Sequence, residues 1–138
     1  MATLGILRFR GWGLLVLLAM ALVLLATPRA RAGALEAWGY NGDGQFGNGT
    51  TTNSLSPVAV TGMSSGVTTI AAGFKFSLAA QNGGLYAWGD NTYGQLGDGT
   101  TNNSTTPVGL TGVLSSGVTA VAAGNYFSLV HCHASKCG

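Results

Sequence analysis

Every histidine and cysteine of this 138-residue chain lies within its last eight positions: His131, Cys132, His133 and Cys137. Two imidazoles and two thiolates are a plausible donor set for a tetrahedral zinc ion. However, consecutive residues on a strand point to opposite faces, so residues 131 to 133 cannot converge on one ion without a turn. No metal is expected. In an oxidising compartment Cys132 and Cys137 are instead candidates for a disulfide, with each other or between chains. Asn41-Gly42-Asp43-Gly44-Gln45 has the start of a calcium loop, but Thr52 stands where the bidentate glutamate should close it. Three of the four carboxylates, Asp43, Asp90 and Asp98, fall in glycine-rich loops as turn residues and form no recognisable acid–base pair. No serine sits in a nucleophile elbow, and a triad would lack a base outside the tail. The glycine-rich loops fit no phosphate-binding pattern and have no lysine beside them. An enzyme is therefore not expected, and no cofactor is implied. Asn48-Gly49-Thr50, Asn102-Asn103-Ser104 and Asn103-Ser104-Thr105 are glycosylation sequons, with meaning only in a eukaryotic secretory pathway.

The elements that carry these loops repeat. Ala37–Gly62 and Ala87–Gly112 match at 16 of 26 positions with an offset of 50. One inserted residue near Val113-Leu114-Ser115-Ser116 moves the offset to 51, and Ser65–Leu78 then pairs with Ser116–Leu129. A period near 50 with several short strands per unit indicates a propeller blade or a similar array. Val67–Ala72 and Val118–Ala123 are β-branched and end at glycine. Phe76–Ala80 and Phe127–His131 follow a tight turn. Asn82-Gly83 joins Phe76–Ala80 to Leu85–Trp88 as a two-residue hairpin. Leu35–Trp38 is the matching strand of the first copy. Pro57–Val60 and Pro107–Leu110 complete the set, with proline expected at the first strand position, where its missing N–H matters least. Most strands are apolar on both faces, as expected of sheets stacked between sheets. The fold class is all-β, a partial β-propeller of four-stranded antiparallel blades, preceded by an apolar N-terminal helix.

AWGDNTYGQLGDGT, then TP-V, then V-AAG-x-x-x-SL, resembles the regulator of chromosome condensation repeat over roughly Ala34–His131. The resemblance implies seven-bladed propellers whose members act as nucleotide exchange factors, ligase subunits, photoreceptors and, in bacteria, secreted propellers including β-lactamase inhibitors. Their shared theme is protein binding through loops on one face. The family often has histidine before the Ser-Leu pair. This chain has Phe76 and Phe127 there, so no role of that histidine carries over.

Residues 1–32 have the layout of a secretory signal. Arg8 and Arg10 precede the apolar run Leu14–Ala26, and Ala30-Arg31-Ala32 supplies a small-x-small cleavage pattern. The run of 13 residues is short for a membrane span. The rival reading is an uncleaved, single-pass anchor. From Gly33 onward two lysines oppose four carboxylates, a net charge of −2. Without a basic patch, nucleic-acid binding is not expected.

Three regions follow: a leader over 1–32, the repeats over 33–131, and an atypical Cys/His tail over 132–138. The expected function is a non-enzymatic protein-binding scaffold in a secreted or envelope protein of bacterial type. Its binding surface would be the loops Tyr40–Asn53 and Asp90–Asn103, with Tyr40, Asn41, Asp43, Asp90, Asn91, Tyr93 and Asp98 as contact residues. The strands amount to one full blade flanked by two complementary halves, too few to close a ring. Head-to-tail pairing of the halves between chains would give two blades per chain, hence six blades from three chains or eight from four. The alternatives are a truncated product without function, a nucleotide-exchange-type regulator, and a propeller enzyme.

Overall fold

A computed structural model describes residues 33–133. The expected N-terminal helix and leader, and the tail from residue 134, lie outside the described residues. The order of elements is β1 (Glu36–Gly39), β2 (Ser54–Ala59), β3 (Val67–Ala72), β4 (Phe76–Gln81), β5 (Gly84–Gly89), β6 (Ser104–Gly109), a 3-10 turn (Gly112–Leu114), β7 (Val118–Ala123) and β8 (Ser128–Cys132). They form a two-stranded sheet β1-β2, a four-stranded sheet β3-β4-β5-β6, and a two-stranded sheet β7-β8, all antiparallel. This is a partial β-propeller: one whole blade between two half-blades. The 3-10 turn coincides with the inserted residue of the second copy. Cys132, grouped with the tail by composition, is the last residue of β8.

The β4–β5 hairpin forms because Asn82 (φ 52°) and Gly83 (φ 85°) both adopt left-handed backbone, with Gln81 opposite Gly84. That geometry twists in the sense the flanking strands require. The prolines depart from expectation. Pro57 and Pro107 are each the fourth residue of strands that begin at Ser54 and Ser104. In the first pair Val58 faces Ala37 and Ser54 faces Gly39, so three residues of β2 bulge against Trp38 alone. The proline sits in this bulge, where no ladder hydrogen bond is lost. Ser54 Oγ stitches the bulge by donating to the Ser56 carbonyl (2.7 Å), and Ser104 repeats this with Thr106.

The central blade buries both faces. Phe76, Leu78, Ala80, Leu85 and Ala87 point to one side, against Val118, Val121, Ala123 and Val130 of the β7-β8 half-blade. Ala79, Tyr86 and Trp88 point to the other, against Leu35, Ala37, Val60 and Met63. The alternation follows the two-residue period of a strand. β4 and β5 thus match the expected two-sided burial, whereas β3 alternates half-buried and exposed residues. A half-blade of two strands covers only part of a four-stranded face, so Ile70 of β3 stays exposed.

Candidate functional site at the loop end of the blades

The up-and-down strand order places the long loops of residues 40–53 and 90–103 at one end of the sheets, together with the tight turns of residues 73–75 and 124–127. The Asn82-Gly83 hairpin and the 3-10 turn lie at the other end.

Each long loop is held by one buried asparagine. Asn41 Oδ1 accepts the Phe46 N–H (2.8 Å), and its Nδ2 donates to the carbonyls of Thr50 (2.9 Å) and Thr52 (3.1 Å). Asn91 does the same with the Leu96 N–H (2.9 Å) and the Thr100 carbonyl (3.0 Å), and adds Asp98 Oδ1 (3.2 Å). Gln45 and Gln95 accept the N–H groups of Asp43 (3.0 Å) and Tyr93 (2.9 Å). These glutamines tie the loop from within, as their place in the repeat suggests.

The same loop also bolts onto the next blade. The Gln45 carbonyl accepts Trp88 Nε1–H (2.8 Å) and Ser77 Oγ–H (2.9 Å), both from the central blade. In the following junction Ser128 Oγ donates to the Gln95 carbonyl (2.6 Å). Near these bonds one pair of positions changes chemistry. In the first junction Asp43 and Lys75 form an ion pair at 3.3 Å. In the second, the matching residues Tyr93 and Tyr126 meet edge to face, with ring centres 5.0 Å apart.

The charges at this end are well supported. Burial opposes ionisation of Asp90, but hydrogen bonds from the Thr92 hydroxyl and amide and from Gln95 outweigh it, and with a weaker pull from Lys75 they lower its pKa. Asp98 is held low chiefly by the Thr100 N–H, with burial opposing and the Thr100 hydroxyl and Asn91 assisting. Asp43 raises the pKa of Lys75, first by hydrogen bonding and then by its charge.

Of the residues expected at a binding surface, Tyr40 and Tyr93 are exposed and Asp43 and Asp98 are half-buried. Asn41, Asn91 and Asp90 are not surface groups: all three are buried. Their polar atoms are spent inside the loop, which is the physical reason the contact set must shrink. Two further exposed aromatics stand at the same end, Phe74 and Tyr126. They sit in the β3–β4 and β7–β8 turns, where a repeat comparison sees only a mismatch (Phe74 against Asn125, Lys75 against Tyr126). The signal that finds them is an aromatic in a turn that needs none. A cleft of about 260 Å³ beside Trp38, Tyr40, Gln45, Phe76 and Ser77 holds no acid–base pair.

At the far end of β8, His131 Nδ1 lies 2.7 Å from Thr119 Oγ1. Cys132 is disulfide-bonded, so it offers no thiolate to a metal. The only other cysteine, Cys137, lies outside the described residues. Among the described residues no group of three or more His, Cys, Asp or Glu could hold a metal ion.

Comparison with known proteins agrees with this geometry. The model of the regulator of chromosome condensation (RCC1) repeat matches residues 33–80 and 82–131, and a second model of the same repeat matches 67–95. Among solved structures, human WBSCR16 is similar with a TM-score of 0.62 and 31% identity over 71% of this chain. The chain spans 26% of that protein. No curated protein matches. With the repeat model covering most of its length, the chain belongs to the regulator of chromosome condensation repeat family.

Proposed function

We propose that this protein is a non-enzymatic, exported β-propeller scaffold that binds another protein through the loop end of its blades. The observation that carries the reading is the set of exposed aromatics on the loops and turns there, among them Tyr40, Phe74, Tyr93 and Tyr126. Exposed tyrosines offer a large apolar face with a polar tip, the profile of side chains that dominate protein interfaces. Tyr40 and Tyr93 stand on loops stiffened by the buried Asn41 and Asn91, and Phe74 and Tyr126 on tight turns, so little ordering entropy is lost on binding. The opposite end carries Ser65, Asn82 and Gly112, which are poor anchors. With a net charge of −2 after Gly33, recognition rests on shape and aromatic contact rather than charge. Export follows from the layout of the leader.

The test is site-specific photo-cross-linking in cells that make the protein, with the photoreactive residue at position 40 or 74 and, as control, at 65 or 82. Adducts of one discrete foreign protein from positions 40 and 74, lost on Tyr93→Ser, support the reading. Adducts equal at both ends, or formed with nothing but the chain itself, overturn it.

A further inference from the structure

The chain has four tyrosines, Tyr40, Tyr86, Tyr93 and Tyr126. Tyr93 and Tyr126 stand edge to face with ring centres 5.0 Å apart, and both remain exposed, by 70% and 51%. We propose that this pair is a modification site, at which one-electron oxidation couples the two rings into a dityrosine. The new bond joins the loop of residues 90–103 to the turn of residues 124–127 in the next sheet. The coupling is independent of any binding role and needs only an oxidant of the peroxidase class with hydrogen peroxide.

The backbone holds the two side chains together. Ser128 Oγ donates to the Gln95 carbonyl at 2.6 Å, and each tyrosine stands two residues before a partner in that bond. Gln95 Oε1 also accepts the Tyr93 N–H (2.9 Å), and the Gly124 N–H closes the other turn onto the Phe127 carbonyl (2.9 Å). The rings keep their freedom. The ring torsion of tyrosine is broad and exposed side chains reorient within nanoseconds, so the carbons beside the two hydroxyls meet without backbone movement. A pair held in this way meets at an effective concentration of roughly millimolar or more, far above that of a second chain at micromolar concentration.

The other two tyrosines have different neighbours. Tyr40 is 59% exposed but sits close enough to Lys75 to act on its charge. Tyr86 is half-buried against Val60, Met63 and Trp88. In the first junction the counterparts of Tyr93 and Tyr126 are Asp43 and Lys75, an ion pair at 3.3 Å that cannot couple. The site therefore belongs to the second junction alone.

The chemistry balances with one peroxide. Each phenol gives one electron to the oxidant and its hydroxyl proton to water, leaving a phenoxyl radical. The two radicals form one carbon–carbon bond between the ring positions beside the hydroxyls. Those two carbons then release their hydrogens as protons, and the two oxygens take protons back, which restores both phenols. In sum two electrons and two protons leave, and hydrogen peroxide takes them up to become two waters. The bond closes the chain between residues 93 and 126 and restricts the unfolded state.

The test uses the full chain at low micromolar concentration, treated with a haem peroxidase and hydrogen peroxide. Dityrosine fluorescence should appear while light scattering shows no change in mass. After unfolding, cleavage at Asp98 should leave the peptides carrying Tyr93 and Tyr126 joined, lighter than their sum by two hydrogens. Tyr93→Phe and Tyr126→Phe keep the ring and lose the hydroxyl, so each should retain the β circular dichroism and abolish the joined peptide. Tyr86→Phe should leave it in full. The oxidised wild type should melt about 5 °C or more above the untreated protein. The proposal is overturned if the joined peptide is missing from wild type or persists in either variant. Coupling mainly through Tyr40 or between chains overturns it too, as does an unchanged melting temperature.

Discussion

Replacing Asn91 by alanine removes the most connected side chain of the second loop. The side chain is fully buried and makes its bonds entirely within the loop. Losing its two shortest hydrogen bonds, to the Leu96 N–H and the Thr100 carbonyl, costs about 1 kcal/mol each. The Leu96 N–H is then left buried without a partner, a penalty of about 1–3 kcal/mol. The sum, about 3–5 kcal/mol, is a large share of the roughly 5–15 kcal/mol that holds a domain together. Asn91→Asp should be no milder, although it keeps the size and the Oδ1 acceptor. It puts a carboxylate where Nδ2 stood, facing the Thr100 carbonyl at 3.0 Å and Asp98 at 3.2 Å. The matching Asn41→Asp faces the carbonyls of Thr50 and Thr52 but no carboxylate, since Asn48 stands where Asp98 does, so it should cost less. Urea unfolding of the three variants, followed by circular dichroism at neutral pH, reads these differences directly. A loss below about 1 kcal/mol for Asn91→Ala, or Asn91→Asp milder than Asn41→Asp, would refute the bracket as the element that holds the loop.

Two further predictions rest on differences between the copies. Asp90 and Asp98 both have folded pKa values below the ordinary carboxylate value, so their contribution to stability is present above about pH 4 and is lost as the pH falls through their folded values. The first loop carries Tyr40 and Asn48 at these positions. Amide protection at residues 91–100 should therefore fall on acidification below about pH 4, and Asp90→Asn with Asp98→Asn should flatten that dependence. Gly47 and Gly97 share nearly the same backbone, φ 67° and 72°, so alanine meets similar strain at both. Only Gly47 lies under an indole. Gly47→Ala should therefore lower the melting temperature more than Gly97→Ala does, and equal shifts would show that Trp88 yields freely.

The sequence made the blades legible because each strand type has its own local signal. Val67-Thr68-Thr69-Ile70 is β-branched, Asn82-Gly83 is a hairpin turn, and the period near 50 brings the copies into register. The proline position differs from the sequence expectation because a bulge has no local signature. Pro57 looks like a strand start until Ser54 is seen pairing with Gly39. By residue type the loop asparagines fit both a structural role and a binding surface, and one side chain cannot serve both ends. Asn41 and Asn91 have spent their polar atoms on the backbone, which burial reveals and residue type does not. Phe74 and Tyr126 escaped for the opposite reason: they lie where the copies disagree, and a search for what repeats passes over what varies.

That variation follows a rule visible in the two junctions. The bonds that join one blade to the next use the glutamine carbonyl, the serine hydroxyl and the tryptophan N–H, and where the described residues hold both copies they keep the same partners. The neighbouring pair, Asp43 with Lys75 and then Tyr93 with Tyr126, is an ion pair in one junction and an aromatic contact in the other. Either pairing is worth little beside the buried bonds: a solvent-exposed ion pair is screened by water, and an aromatic pair contributes about 0.5–1.5 kcal/mol. The fold therefore tolerates exchange at these positions, and they lie at the end that presents Tyr40, Phe74 and the tyrosine pair. If that end binds as proposed, its contacts can diverge from blade to blade while the junction chemistry stays fixed. On the proposed binding role, a scaffold that repeats its joints and varies its rim separates the residues that hold it together from those that would choose a partner.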